Sequence, residues 1–418
     1  MRSNTLVVAV IVIVIGYSLS CVSRGHDQKP ANSRSEESIT ILRPVPAVLN
    51  EETHPTVEAI EIQVKGKAGE PFDFKHAQFI DENHGWAMTE YWLYRTNDGG
   101  MTWERLQQNP EKDGRFTAFF FVDESRGWLA AVKEVPAKRY GLGNSSVIMV
   151  TNNGGKSWQL QARFPDEVVI HEIRFLNPTD GLAVGARMVD GGVQVYEELL
   201  VLRTSNGGNE WKNTSEPAKA VIKNEYGMAN DAGRHIEWLS ASSVLLLTRF
   251  GKVISTTDSG KTWSLVATFK NDRPNGFTSP TAMHKLALDP QGRIRVVAGA
   301  IGDDVYHGED LKSNWGQFVV QEDGGWRTYE LDQTAIVDAV LLSDKEVLAC
   351  GLNMRPGDEK ANSRLKNAGV ILRSFDGGKS WQTIYRSKSY ETFFFLTKVK
   401  ENQFYALSDT GTFVRFTL

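Results

Sequence analysis

Thr96–Trp103 reads TNDGGMTW, and the same eight-residue design returns at Thr151–Trp158 (TNNGGKSW), Thr204–Trp211 (TSNGGNEW), Thr256–Trp263 (TTDSGKTW) and Ser374–Trp381 (SFDGGKSW). The first four starts are 55, 53 and 52 residues apart, and the 118 residues from 256 to 374 make two periods averaging 59. Gln321–Tyr329, QEDGGWRTY, lies midway and reads as a worn copy with its Trp displaced. Self-similarity at such a period marks an architecture built from one repeated supersecondary unit.

The residue types of the turn have physical reasons. A Thr or Ser at the head bonds backbone a few residues on, the central Asp or Asn caps amides inside the turn, and Gly takes positive φ without penalty. The Trp then buries its ring at the start of the next strand. Asp98 with Trp103, Asn153 with Trp158, Asn206 with Trp211, Asp258 with Trp263 and Asp376 with Trp381 are thus structural pairs. Upstream of the copies, Phe79-Ile80-Asp81 precedes Gly85-Trp86-Ala87, Phe121-Val122-Asp123 precedes Gly127-Trp128-Leu129, and Phe175-Leu176-Asn177 precedes Gly181-Leu182-Ala183. Each unit reads strand A, strand B, strand C, Gly-rich turn, strand D, which is a propeller blade. Residues 57–418 number 362, or seven units at a period near 52. The expected fold is all-β, a seven-bladed propeller of four-stranded antiparallel blades. The last unit lacks a D strand, and the alternating segment Val57–Val64 is expected to supply it and close the ring.

The turns resemble the Asp-box, or BNR, repeat of sialidases, sortilin-type receptors and several bacterial hydrolases. The combined pattern across Phe79–Trp103 and Phe121–Trp158 is similar to the photosystem II assembly and stability factor family, over about residues 60 to 418. That resemblance implies a binding or assembly role for a propeller.

Composition narrows the function classes. Lys plus Arg is 47 against Asp plus Glu 51, a net charge of −4 without a compact basic block, so a nucleic-acid footprint is absent. Two cysteines, Cys21 and Cys350, exclude a disulfide framework. Met1-Arg2, the apolar run Leu6–Ile15 and Ser18-Leu19-Ser20 read as a secretory signal ending at Cys21. The stretch resembles the lipobox of bacterial lipoproteins, with Ser18 where that family usually has Leu. The resemblance implies that residues 1–20 are a signal peptide and that Cys21 is lipidated, with simple secretion and an uncleaved anchor as alternatives; residues 21–56, rich in Ser, Glu, Asn, Pro and Arg without hydrophobic period, are expected to be the lipidated cysteine and a disordered tether. The chain is placed in the bacterial cell envelope or secreted, meeting a membrane only through its lipid.

Successive turns of an antiparallel blade alternate between its ends, so A–B turns and Gly-rich turns share one face, and B–C and D–A connections the other. The B–C stretches Lys133–Ser145, Arg187–Glu198, Gly302–Trp315 and Asn353–Ala368 are long, as is the D–A stretch Asn271–Met283, which makes theirs the candidate binding face. It offers Lys138, Arg139, Tyr140, Asp303, Asp304, Arg355 and Arg364 to a partner. Aligning the A strands on Phe puts His76, Ala118, Glu172, His235, His284, Asp338 and Thr392 around the channel mouth. His76, Glu172, His235, His284 and Asp338 are candidate ligands for a metal or small anion there, or else bonds between blades. The Arg, Tyr and acid set of a sialidase is not matched, and the turn acids repeat where catalysts ought to be singular. The expected function is a noncatalytic scaffold for an envelope or membrane protein, without a cofactor; a glycan-binding or glycan-active protein is the alternative. Cys21→Ser is expected to release the protein from membranes, and retention of the variant in the detergent-extractable membrane fraction would contradict lipidation.

Overall fold

The computed structural model describes residues 39–42, 44–51, 60–63 and 73–418, apart from 109–113, 137–141, 165–166, 191–194, 224–230, 272–281, 290–291, 301–314, 323–324, 332–333 and 355–366. Seven sheets, each built on four antiparallel strands, follow one another along the chain. Their first strands, His76–Phe79, Gly114–Phe121, Val168–Phe175, Gly233–Trp238, Ala282–Leu288, Thr334–Leu341 and Phe393–Lys400, pack each against the next, and the last packs against the first. The result is a closed seven-bladed β-propeller with these A strands innermost. The preceding chain supplies Ile39–Leu42 (β1), Pro44–Pro46 (β2), Val48–Glu51 (β3) and Ile60–Gln63 (β4). β4 pairs antiparallel with Thr412–Thr417 and completes blade 7, within the segment expected to close the ring.

The repeated turn is held by side chains. In the first copy the Thr96 hydroxyl donates to Asp98 Oδ1 at 2.8 Å and accepts the Gly100 amide at 2.8 Å. Asp98 in turn accepts the Thr102 amide at 2.9 Å and the Thr102 hydroxyl at 2.6 Å. The same hydroxyl-to-glycine bond recurs at Gly155, Gly208, Gly260 and Gly378. The hydroxyl and amide of Thr262 hold the Asp258 carboxyl down at about 2, as expected of a permanently ionised cap. Gly100 has φ +84°, and a Cβ there would lie 2.4 Å from the Phe413 ring of blade 7, so both conformation and space require glycine. Each turn also donates an amide to the A–B turn of its own blade, for example Gly154 to Ser125 O at 2.7 Å and Gly207 to Thr179 O at 2.9 Å. The two sets of turns therefore share a face.

The best-buried indoles are not those of the turns. Trp86 and Trp128, second residues of their B strands, are 0% exposed, whereas Trp103, Trp158 and Trp211 are half-buried; only Trp263 and Trp381 among the turn indoles are buried. Trp86 stacks on Phe121 of the next blade with centroids 3.8 Å apart and donates to Gly154 O at 3.1 Å. Trp128 does the same to Phe175, at 3.4 Å, and Gly207 O, at 3.2 Å. The small Gly127 is needed because a Cβ there would lie 2.5 Å from the Phe121 ring.

Three further features depart from the sequence reading. Gln321–Tyr329 is a hairpin between Trp315–Glu322 and Gly325–Leu331, with Glu322 opposite Gly325; its Trp326 packs edge-on against Phe269 of blade 4. Blade 3 has a D strand of only two residues, Lys212–Asn213, followed by the helix Ser215–Ile222, which lays Ala218 and Ile222 on the core. Pro217 cannot donate to a ladder but suits a first helical turn. Ile39–Glu51, assigned by composition to the tether, lies in strands along three blades, because an edge strand needs backbone bonds more than a hydrophobic period. Trp128→Ala is expected to cost about 3–5 kcal/mol, the range for large aromatic truncations in cores, and Trp158→Ala less than about half of that. Denaturant unfolding checks the order, and equal losses would contradict the assigned burial.

Candidate functional site

The A strands of blades 2 to 7 each carry a bulge at one equivalent place, at Thr117, His171, Arg234, His284, Val337 and Phe394. One position further on stand Ala118, Glu172, His235, Lys285, Asp338 and Phe395, with His76 in blade 1; each lies opposite the fourth residue of its B strand, except Phe395, which lies opposite the fifth, Leu407. This is the channel ring. The strand register puts His76, Ala118, Glu172, His235 and Asp338 at the positions that the sequence alignment gave them. The alignment missed in blade 5, where Leu288 opposite Ile294 holds the place that Phe opposite Gly holds in blades 1 to 3, so Lys285 takes the ring place and His284 is the bulge residue. It missed again in blade 7, where Lys398 pairs with Phe404 at the anchor, and Phe395 rather than Thr392 is in the ring. Gln78, Arg174 and Glu237, two residues beyond ring members, belong to the same inner row by strand alternation; that period was the available signal for them.

The ring carboxylates are engaged between blades. Glu172 accepts the Ile236 amide of blade 4 at 2.6 Å, Arg174 Nε at 2.9 Å, and lies 3.2 Å from His235 Nδ1. Asp338 accepts the Leu396 amide of blade 7 at 3.0 Å and its own neighbour Ala339 at 2.7 Å, and is paired with Lys285 of blade 5. Gln78 both donates to Phe121 O and accepts from Phe121 N, each at 2.8 Å, joining blades 1 and 2. Glu237 extends the network to Arg174 and His235, each at under 4 Å. Burial alone would raise the Glu172 carboxyl, but His235 and Arg174 outweigh it and bring it down to about 2. Burial opposes charge on His235, yet Glu172 beside it raises the imidazole above its ordinary value. His76, edge-on to Phe119 at 4.8 Å, is lowered by burial to about 4. Glu172 and Asp338 thus join neighbouring blades.

The opposite face to the Gly-rich turns is built differently from expectation. Lys133–Ser145 and Arg187–Glu198 are not open loops: their strands continue to Pro136 opposite Leu142 and to Asp190 opposite Val195. These hairpins project past the ends of their A strands, Gly114 and Val168. Between blades 3 and 4 this face carries a charged group. Arg249 Nη1 is 3.2 Å from Glu197, His171 Nδ1 is 3.1 Å from Gly233 O, and Lys252 Nζ is 3.7 Å from Asp231. Burial, with Arg249 nearby, pushes the Arg234 guanidinium below its ordinary range, and burial lowers His171 to about 4. Lys138, Arg139, Tyr140, Asp303, Asp304, Arg355 and Arg364 lie outside the described residues, as does Cys21. Cys350 is buried, its thiol directed at Phe393 O at 3.5 Å and pushed up by burial, which is a core position.

Ring, turns and stapled channel define a seven-bladed propeller of four-stranded antiparallel blades. No family model matches the chain. It is similar to the photosystem II assembly protein Ycf48 of Thermosynechococcus vestitus, 23% identical over 343 residues, which are 81% of this chain and 80% of that one. It is also similar to the photosystem II assembly lipoprotein Ycf48 of a Synechococcus species, 21% identical over 78% of both chains. Among solved structures, Ycf48 bound to a D1 peptide superposes with a TM-score of 0.55 at 20% identity, covering 90% of this chain and 99% of that one. A xyloglucanase from Xanthomonas campestris gives 0.54 at 15% identity, covering 85% of this chain and 53% of that one. At these identities the superpositions establish the fold.

The channel groups set a pH dependence whose sign can be worked out. Between pH 6.5 and 4 the unfolded chain binds a proton at His76 that the folded chain refuses, so stability falls on acidification; from about 4.5 downward Glu172 adds a second loss. His235 acts oppositely, contributing below 6.5 and losing that contribution as pH rises through its raised folded value. His76→Gln is expected to flatten the decline in unfolding free energy between pH 6.5 and 4 by at most about 3 kcal/mol, since the ring is only half-buried. An unchanged slope in chemical denaturation would contradict the assignment.

Proposed function

We propose that this chain is a noncatalytic envelope propeller that binds a membrane or envelope protein through the B–C face, anchored by a lipid on Cys21 after removal of residues 1–20. Its turns are read as Asp-boxes, serving structure and not catalysis. The observation that carries the reading is the alignment along some four-fifths of the chain with two proteins named for photosystem II assembly, one of them named a lipoprotein. The D1 peptide named with one structural neighbour supports a protein partner. The commitment of Glu172 and Asp338 to backbone amides of neighbouring blades argues in the same direction, since it uses the channel acids for assembly of the ring.

On the binding face, hairpins project from blades 2 and 3, Glu197 of the blade 3 hairpin pairs with Arg249 of blade 4, and the sequence adds Arg139, Tyr140, Arg355 and Arg364 from blades 2 and 6. Arginine forks and an aromatic are the residue types that anchor protein interfaces. The acids Asp303 and Asp304 would orient the partner by charge. No helix among the described residues is long and apolar enough to cross a membrane. A partner is sought by affinity purification of the intact protein from its own membranes. Replacing Arg139, Tyr140, Arg249, Arg355 and Arg364 with Ala is expected to weaken capture at least about tenfold with the unfolding midpoint nearly unmoved, the loss expected of interface anchors. If matched substitutions on the Gly-rich-turn face abolish capture and these do not, the faces are wrongly assigned; hydrolysis of a β-glucan by the purified chain would favour the glycan-active alternative.

A further inference from the structure

The chain before the first blade does more than close the ring. β1 pairs parallel with blade 4's outer strand, Ile39 to Leu42 against Thr268 to Asn271. β2 pairs parallel with blade 5's outer strand, Pro44 to Pro46 against Thr328 to Glu330. β3 pairs parallel with blade 6's, Val48 to Glu51 against Ser380 to Thr383. Within thirteen residues, 39 to 51, one extended segment has served three successive blade edges, before β4 enters blade 7.

The backbone and side chains both fit. The Ala47 amide donates to Glu330 O of blade 5 at 2.7 Å, and the Val48 amide reaches Lys379 O of blade 6 at 3.3 Å, so the step from one blade to the next is itself bonded. Ala47 and Leu49 pack on the core shared by blades 5 and 6, which includes Tyr329, Leu331 and Trp381, while Val48 between them is 57% exposed. This is the alternation of an edge strand with one face on a core. The position around the ring is informative too. Seams 7/1, 1/2, 2/3 and 3/4 are crossed by side-chain bonds to the next blade's turn, from Tyr405 to Glu82 O, Trp86 to Gly154 O, Trp128 to Gly207 O and Arg203 to Ser259 O. Seam 5/6 carries ion pairs to the next blade's turns, Arg293 to Asp344 at 3.7 Å and Glu322 to Lys379 at 3.4 Å, and the segment adds main-chain pairing over this seam and 4/5.

We infer that the outer edges of blades 4, 5 and 6 form one continuous receptor for a single extended segment, which this chain fills with its own residues 39–51 as a belt over seams 4/5 and 5/6. Recognition is by main-chain addition to strand edges, with the alternate side chains Ala47 and Leu49 packed on the core beneath. A second copy's residues 39–51 are the other occupant the register admits.

Hydrogen exchange of the full-length chain tests this. The Ala47 and Val48 amides are expected to exchange at least about tenfold more slowly than in a free peptide of residues 38–52, and equal rates would overturn the inference. In the full-length Ala47→Asp/Leu49→Asp variant, Thr268–Asn271, Thr328–Glu330 and Ser380–Thr383 should lose protection together, whereas Val48→Asp should leave them unchanged. Added synthetic peptide 38–52 should restore protection to the double variant. Protection that is indifferent to both the substitutions and the peptide would show that the edges are not a receptor. Native protein running as a dimer, with exchange slowed only in that species, would reassign the occupant to the second copy and overturn filling in cis.

Discussion

A hydroxyl that accepts a glycine amide four residues later is the bond on which this ring depends. At Thr96, Thr151, Thr204, Thr256 and Ser374 it fixes the start of an eight-residue turn whose glycine then adopts a left-handed conformation that no larger residue would tolerate at low cost. The turn in turn presents carbonyls to its neighbour: Gly154 O and Gly207 O receive the indoles of the preceding blade. Local polar chemistry and long-range apolar packing are therefore joined at one point. An Asp or an Asn serves equally in the middle, because both offer an oxygen to the amide four residues on, as Asp98 and Asn153 do to Thr102 and Ser157.

That coupling explains what was legible in the sequence. Turns built from Thr, Asp and Gly at fixed spacing announce themselves, and so do Phe79, Phe121 and Phe175 against Gly85, Gly127 and Gly181, because each demands a particular residue type. Blade 5 shows the reverse. Its hairpin from Trp315 to Leu331 closes without the polar turn, so the Asp and Gly of QEDGGWRTY suggested a feature that its strand pairing replaces. The channel was half legible for the same reason. His76, Glu172 and His235 could be aligned on the aromatic anchors Phe79, Phe175 and Trp238, whereas blades 5 and 6 offer only the aliphatic Leu288 and Leu341, and of their two ring residues Asp338 was aligned and Lys285 was not. Ile39–Glu51 was hidden altogether, since an added edge strand is specified by main-chain bonds that leave no residue signature.

The two ends of the ring carry different burdens. The Gly-rich turns and the short A–B turns bond one another on one face and leave little freedom for variation. The other face projects hairpins from blades 2 and 3 and gathers Arg234, Arg249, Glu197 and His171 between blades 3 and 4. Inside, Glu172, Asp338 and Gln78 bind amides of neighbouring blades, so the channel's polar groups hold the scaffold that presents this face.

The dependence on the turn bond is open to a direct measurement, native-state exchange of the Gly100, Gly155, Gly208, Gly260 and Gly378 amides. These amides are in surface turns, yet they are buried against a hydroxyl and should exchange only through opening of whole blades, with the slow core strands. Exchange at the rate of exposed loops, with the strands still protected, would show that the turns hang on the ring and do not hold it.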